Sequence, residues 1–291
     1  MSEQEKAEIR RGLRDVYIDR TLSSFIDGKK GHLLYRGFNI DDLARNSCFE
    51  ETAYLLLHGD LPNAKQLSDF DYLLKSSRSI PTEILDVLNI VKKSHSMDAL
   101  RTAISATSIL EDDVEDISLK STLMKGIKLT AMAPTIVAAH YRLSIHENPI
   151  EPRDDLGHAA NFLYMLSGET PDPEDAALID KDFVLHAEHG LNASSFGARV
   201  VASTQADLHC AVTAGIATLK GPSHGGAAES VMTMSLEIGS EDNAEKYVRD
   251  TLSGGGRIMG FGHRVYRAVD PRSLHIQDDL KELGERKGEP K

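Results

Sequence analysis

Three short segments of this 291-residue chain carry histidines beside glycine, serine or arginine: HAEHGLNAS (His186–Ser194), LKGPSHGGAAE (Leu219–Glu229) and RIMGFGHRVYRAVDPR (Arg257–Arg272). In the third, glycines let backbone lie close against a ligand. His263 follows as a polar catalytic candidate, and Arg264, Arg267 and Arg272 add three permanent cations within nine residues of it. Such a stretch suits a flat phosphate-bearing ligand beside a small carboxylate. In the second, His224 precedes a helical pattern whose first backbone N–H groups lack intrahelical partners. A positive helix end favours a neutral imidazole, which can donate one hydrogen bond to a carbonyl becoming an enolate. A turn or cap role is the simpler reading of a lone histidine there.

His186 and His189 lie three apart in a predicted helix and could share a face. HAEH matches neither H-E-x-x-H nor H-x-x-E-H, so no metalloprotease signature is present. GFGHR does not continue into a dinucleotide fingerprint, because Val265 stands where its last glycine belongs and no strand pattern precedes it. Neither a G-x-x-x-x-G-K-[ST] phosphate loop nor a G-x-S-x-G nucleophile elbow occurs.

The elements that must position these residues read as helices. Apolar residues recur at helical spacing in FEETAYLLLHG, PTEILDVLNIVKK, MDALRTAISATSIL and DDLGHAANFLYMLSG. Pro134 predicts a kink or a helix start inside an apolar stretch. PDPED opens a further helix over roughly 173–203, with a break near Gly190. The exception is LSSFIDGKKGHLLYRG, whose Asp27-Gly28 and Gly31 between β-prone runs predict a small hairpin. No alternation of strands and helices follows, so the class is mainly α with a small N-terminal β-hairpin. The glycines and proline of Lys220–Gly226 predict a hinge or tight turn and a boundary between 1–222 and 223–291.

Composition bounds the partners. A hydrophobic fraction of 41% and a charged fraction of 27% are ordinary for a soluble globular protein. A net charge of −12 disfavours nucleic acid and anionic membrane. Cys48 and Cys210, too few for a disulfide framework, read as buried small hydrophobes. MSEQEKAEIRRGLRD lacks the apolar run of a secretory signal and no window is apolar enough to span a bilayer, so a cytoplasmic setting is the expectation.

Taken singly the three segments are weak signals; in this order and with these contents they closely resemble the citrate synthase family. SSFIDGKKGHLLYRGFNIDDLARNSCFEETAYLLLHGDLP resembles that family's opening segment, so the likeness runs from about Leu13 to Arg272. It is strongest to the shorter bacterial and archaeal members, with 2-methylcitrate synthases closely related. The resemblance implies condensation of acetyl-CoA with oxaloacetate and hydrolysis of citryl-CoA to citrate and CoA, on a two-domain helical fold that dimerises and closes over its substrates. It implies that His224 holds the thioester carbonyl and stabilises the enolate, that His263 hydrogen-bonds the ketone and protonates it, and that His189 and Arg272 bind oxaloacetate. CoA would lie against Arg257, Ile258, Met259, Gly260, Phe261 and Gly262. No permanently bound cofactor and no metal are expected.

The resemblance also implies an aspartate base and further substrate arginines in a part of the family sequence that lies beyond the matching segments. Asp270, Asp278 and Asp279 do not sit in that base motif. The 291 residues therefore read as a truncated version of a longer enzyme, expected not to turn over at a family-like rate. The alternatives are a 2-methylcitrate synthase using propionyl-CoA and an inactive homologue that binds CoA or a dicarboxylate.

Overall fold

The computed structural model describes residues 18–288, and the N-terminal stretch read above for a signal, 1–15, lies outside them. A meander of β1 (Ser24–Asp27), β2 (His32–Tyr35) and β3 (Phe38–Asn39) opens the fold. All its pairings are antiparallel, with Phe25 opposite Leu34 and Tyr35 opposite Phe38. The predicted hairpin is thus the first two strands of three.

Ten helices follow before the Lys220–Gly225 turn: α1 (Ile40–Asn46), α2 (Phe49–His58), α3 (Ala64–Ser76), α4 (Thr82–Val91), α5 (Ser96–Ala106), α6 (Leu119–Ser144), α7 (His158–Ser167), α8 (Pro173–His186), α9 (Ala193–Ala202) and α10 (Leu208–Leu219). Their starts follow the capping residues. Asn63 and Gln66 form a capping box at α3, while Asp172 and Asp207 cap α8 and α10 with their carboxylates. Gly59 and Gly168 end α2 and α7 in the left-handed conformation.

The apolar stripes of these helices meet in three clusters. Ile84, Leu88, Ala103, Met132 and Ile136 join α4, α5 and α6. Leu33, Tyr35, Ile40, Leu55, Val184 and Leu185 join the sheet to α1, α2 and α8. Phe70, Leu74, Ile127 and Ala131 bind α3 to α6. Through these the long α6 becomes the axis of the body. It runs unbroken past Pro134, where a helix start was one of two expectations. Packing of Met132, Thr135 and Ile136 on both sides of the proline outweighs the one backbone bond it removes.

Beyond the turn, α11 (Gly226–Ile238) and α12 (Glu241–Ser253) pack on each other and bury no residue fully. The last helix, α13 (Pro271–Lys287), lies on α1 and α8. His275 Nε2 meets Asp41 Oδ1 at 2.6 Å, and Arg286 reaches Asp172, Glu174 and Asp175 at the start of α8. Cys210 is exposed rather than buried, because it sits in the first turn of α10. No helix among the described residues is long and apolar enough to cross a membrane.

Candidate active site

The segment 186–194 is no continuous helix. His186 is the last residue of α8, and His189 lies in the loop before α9, so the two do not share a helix face as expected. Gly190 takes the left-handed region, at φ 66°, in the loop between the two helices. The loop is fixed from below by the sheet. Tyr35 Oη donates to the Leu185 carbonyl at 2.9 Å, and Glu188 accepts from Ser24 Oγ at 2.9 Å and from the Gly190 N–H at 2.6 Å.

The segment 257–272 comes to that loop from the other end of the chain, and the β1–β2 turn receives it. Arg267 donates its backbone N–H to the Gly28 carbonyl at 2.6 Å. A Cβ on Gly28 would stand 2.3 Å from the Val265 carbonyl oxygen, and one on Gly31 would stand 2.7 Å from that of Val269. The glycines that read as hairpin punctuation are therefore also the seat of the arginine-rich segment.

This seating brings His189, His263 and Tyr266 together. Ring centroids lie 5.4 Å apart for His189–His263 and for His189–Tyr266, and 4.8 Å apart for His263–Tyr266. The Tyr266 hydroxyl lies 3.1 Å from His189 Nε2. His263 Nδ1 accepts the backbone N–H groups of Val265 and Tyr266 at 3.1 and 3.0 Å. A ring nitrogen accepting two N–H bonds carries no proton, so the neutral ring bears its hydrogen on Nε2. Burial, with Arg272 adding to it, holds His189 down at about 4. Partial desolvation also lowers His263, against the opposing charge of Asp270. Both rings are therefore neutral at pH 7. Burial pushes the Tyr266 hydroxyl up to about 12, so it stays protonated.

Arg272 closes this group with both of its forks on one acid: Nε to Asp270 Oδ1 at 3.0 Å and Nη2 to Asp270 Oδ2 at 2.6 Å. Burial works to lower Arg272, and the bonds and charge of Asp270 outweigh it, so the guanidinium is held above its ordinary value. Burial likewise works to raise Asp270, and Arg272 outweighs it to hold the carboxyl below its ordinary value.

His224 stands apart. No hydrogen bond or ring contact among the described residues joins it to that group, but its Nε2 lies 2.7 Å from Ser194 Oγ in the first turn of α9. The loop that carries His189 thus leads directly into the residue that holds His224. Gly260 and Gly262 adopt φ of 83° and 85°, which leaves Phe261 80% exposed between them. Arg257 and Met259 line a cavity of about 400 Å³ with Lys220, Glu229, Met234 and Tyr247, whereas Ile258, Phe261 and the two glycines do not line it. Among the described residues no group of three or more His, Cys, Asp or Glu could hold a metal ion.

Ser194, Tyr266 and Asp270 lie within the histidine-bearing segments 186–194 and 257–272, and their residue types alone point to no role. Only Tyr266 carried a signal, an aromatic three residues after His263 in a polar run.

The family model for the citrate synthase C-terminal domain matches residues 12–291. Citrate synthase 2 of Bacillus subtilis (strain 168) is 44% identical over 284 residues, which cover 97% of this chain and 76% of that protein. The crystal structure of citrate synthase from Pyrobaculum aerophilum superposes with a TM-score of 0.91 at 43% identity, covering 97% of this chain and 72% of that one. The ternary complex of carboxymethyl coenzyme A and oxaloacetate with citrate synthase from the archaeon Thermoplasma acidophilum superposes at a TM-score of 0.86 and 27% identity, covering 97% and 80%. The chain belongs to the citrate synthase family.

Proposed function

We propose that the chain is a citrate synthase, joining the methyl carbon of acetyl-CoA to the ketone carbon of oxaloacetate and hydrolysing the thioester to citrate and CoA. The observation that carries this is the tautomer of His263. Its Nε2–H is fixed as a donor by two backbone N–H groups on Nδ1, which is what a ketone oxygen gaining negative charge requires. His263 then gives that proton to the oxygen as it becomes a hydroxyl. Being exposed, it regains one from water.

His189 holds oxaloacetate beside it, and Arg272 takes a substrate carboxylate with the fork that Asp270 now occupies. His224, oriented by Ser194, donates to the thioester carbonyl as the methyl group loses its proton and the enolate forms. CoA lies along Arg257–Gly262. The bound coenzyme A analogue and oxaloacetate named for the Thermoplasma acidophilum complex support that pair of ligands.

Asp270 is a carboxylate whose charge acts on both His189 and His263, and its lowered pKa makes it a weak base. We assign the enolising base to none of the described aspartates, so these 291 residues bind both substrates and turn them over slowly. The unit that closes is α11–α12, swinging about Lys220–Gly225; the working form is a homodimer in the cytoplasm. Calorimetric titration with oxaloacetate and CoA, with thiol release measured in parallel, tests the proposal. Binding of both is expected; binding of neither, or oxaloacetate binding unchanged in His263→Ala, overturns it. Propionyl-CoA differs by one methyl group, worth about 1–3 kcal/mol of discrimination. The ratio of kcat/KM for the two thioesters is expected to favour acetyl-CoA.

A further inference from the structure

A second cavity, of about 490 Å³, lies where the α4–α5 turn and the C-terminal end of α6 meet α11. The reaction leaves its side chains unused. Lys92, Lys93, His95, His140 and His146 line it, with three serines between them and Glu229 facing them from α11. The donors far outnumber the acceptors. Glu229, the one acid, is already engaged: His95 Nδ1 accepts the Met97 N–H at 3.2 Å, so its proton sits on Nε2, 3.0 Å from Glu229 Oε2. Lys92 reaches only Asn89 Oδ1, at 3.5 Å, and Lys93 has no partner among the described residues.

His140 supplies a separate indication. The residue is 4% exposed, lines the cavity, and its Nε2 has no hydrogen-bond partner. A buried ring nitrogen without a partner is unusual in a folded protein, and it leaves this wall of the cavity short of a polar partner. The ligand must be an acceptor with charge, because two ammonium groups, imidazole N–H groups and hydroxyls converge there. These residues are not among any set that could hold a metal ion. With no arginine fork to match a planar carboxylate, point-charge lysines and dispersed N–H and O–H donors suit a tetrahedral oxyanion.

We propose that this cavity binds a phosphate group, either the free ion or the phosphate of a small metabolite. The ligand competes with Glu229 for His95 Nε2–H. Glu229 also lines the cavity of Arg257 and Met259, so phosphate loosens α11 from the end of α5 and lowers the affinity for CoA. This last consequence rests on the CoA site proposed above; phosphate binding itself does not. By linkage, CoA weakens phosphate by the same factor.

Calorimetric titration of the 291-residue chain with inorganic phosphate and with glycerol 3-phosphate, in an amine buffer at low ionic strength, decides it. Lys92→Ala combined with Lys93→Ala is expected to weaken phosphate at least about tenfold, equivalent to about 1.4 kcal/mol. Glu229→Gln removes the competing carboxylate and is expected to tighten it several-fold. Arg249→Ala, on α12 and paired with Glu245, is expected to change nothing. A tighter monoester assigns the metabolite-borne form, and equal affinities assign the free ion. Binding that survives the double lysine change, or that is lost in Arg257→Ala, overturns the proposal.

Discussion

The helical body and the α11–α12 pair are built from similar apolar residues and hold them differently. In the body, Ile84, Leu88 and Ile136 are completely buried between α4, α5 and α6. On the pair, Met232, Leu236 and Leu252 lie open to water, and the two helices pack mainly on each other. The side-chain tie from the pair to the body is polar, His95 to Glu229 at 3.0 Å, and Lys220 in the turn pairs with Asp98 at 2.6 Å. Burial fixes the body, while a few exchangeable contacts set the position of the pair. The same division runs through the site. His189 and Ser194 belong to the body, and Arg257 and Met259 face α11 and α12. A ligand between them joins a rigid half to one that can shift without unpacking a core.

The comparison breaks most easily on stability. Leu88→Ala is expected to cost about 2–5 kcal/mol in urea unfolding. Leu236→Ala is expected to stay within about 0.5 kcal/mol. Equal losses would mean that α11 is packed as tightly as the body.

Acid should sharpen it next. Burial, aided by Arg78, lowers His158 to about 3, and its ring is stacked on Phe49 within the body. Between about pH 6.5 and 3 the unfolded chain therefore binds a proton that the folded chain refuses. Stability falls with pH over that window by several kcal/mol from this group. Asp180 acts in the opposite sense. Burial, with Glu50 beside it, raises it to about 6, so folding takes up a proton between about pH 6 and 4 and stability rises as pH falls. His158→Phe should flatten the acid loss and Asp180→Asn should steepen it, read as denaturation midpoint against pH.

Arg272→Leu removes the fork from the body side of the site. It is expected to weaken oxaloacetate by about 2–3 kcal/mol by calorimetry, while CoA binding to the other half changes little. The smallest effect is assigned to Tyr266→Phe, which removes one hydroxyl contact with His189 and should cost about 1 kcal/mol in oxaloacetate affinity.

Much of this was legible in the sequence because it is local. Helical spacing marked the stripes of α4 and α5, and Gly190 marked the break between α8 and α9, since period and turn chemistry are properties of neighbouring residues. Pro134 misled in part because the neighbours that carry α6 through it come from distant helices. The histidines of the site could be named from their segments. The Tyr266–His189 contact could not, because it depends on how two remote segments meet, and the tautomer of His263 and the Asp270–Arg272 pairing depend on loop backbone geometry that residue types alone do not fix. Cys210 shows the converse: its residue type favours burial, and its place in an exposed first turn overrides it.

The seating of Val265–Val269 on Gly28 and Gly31 makes the site a product of completed folding. Its first wall comes from residues 24–35 and its last from residues 257–272, so a chain in which these have not yet met holds no working pocket. Contacts this remote in sequence form late and slowly. Damage to the β1–β2 turn should therefore disable the histidines without altering any of them. A single methyl group at Gly28 would serve as well as a deletion.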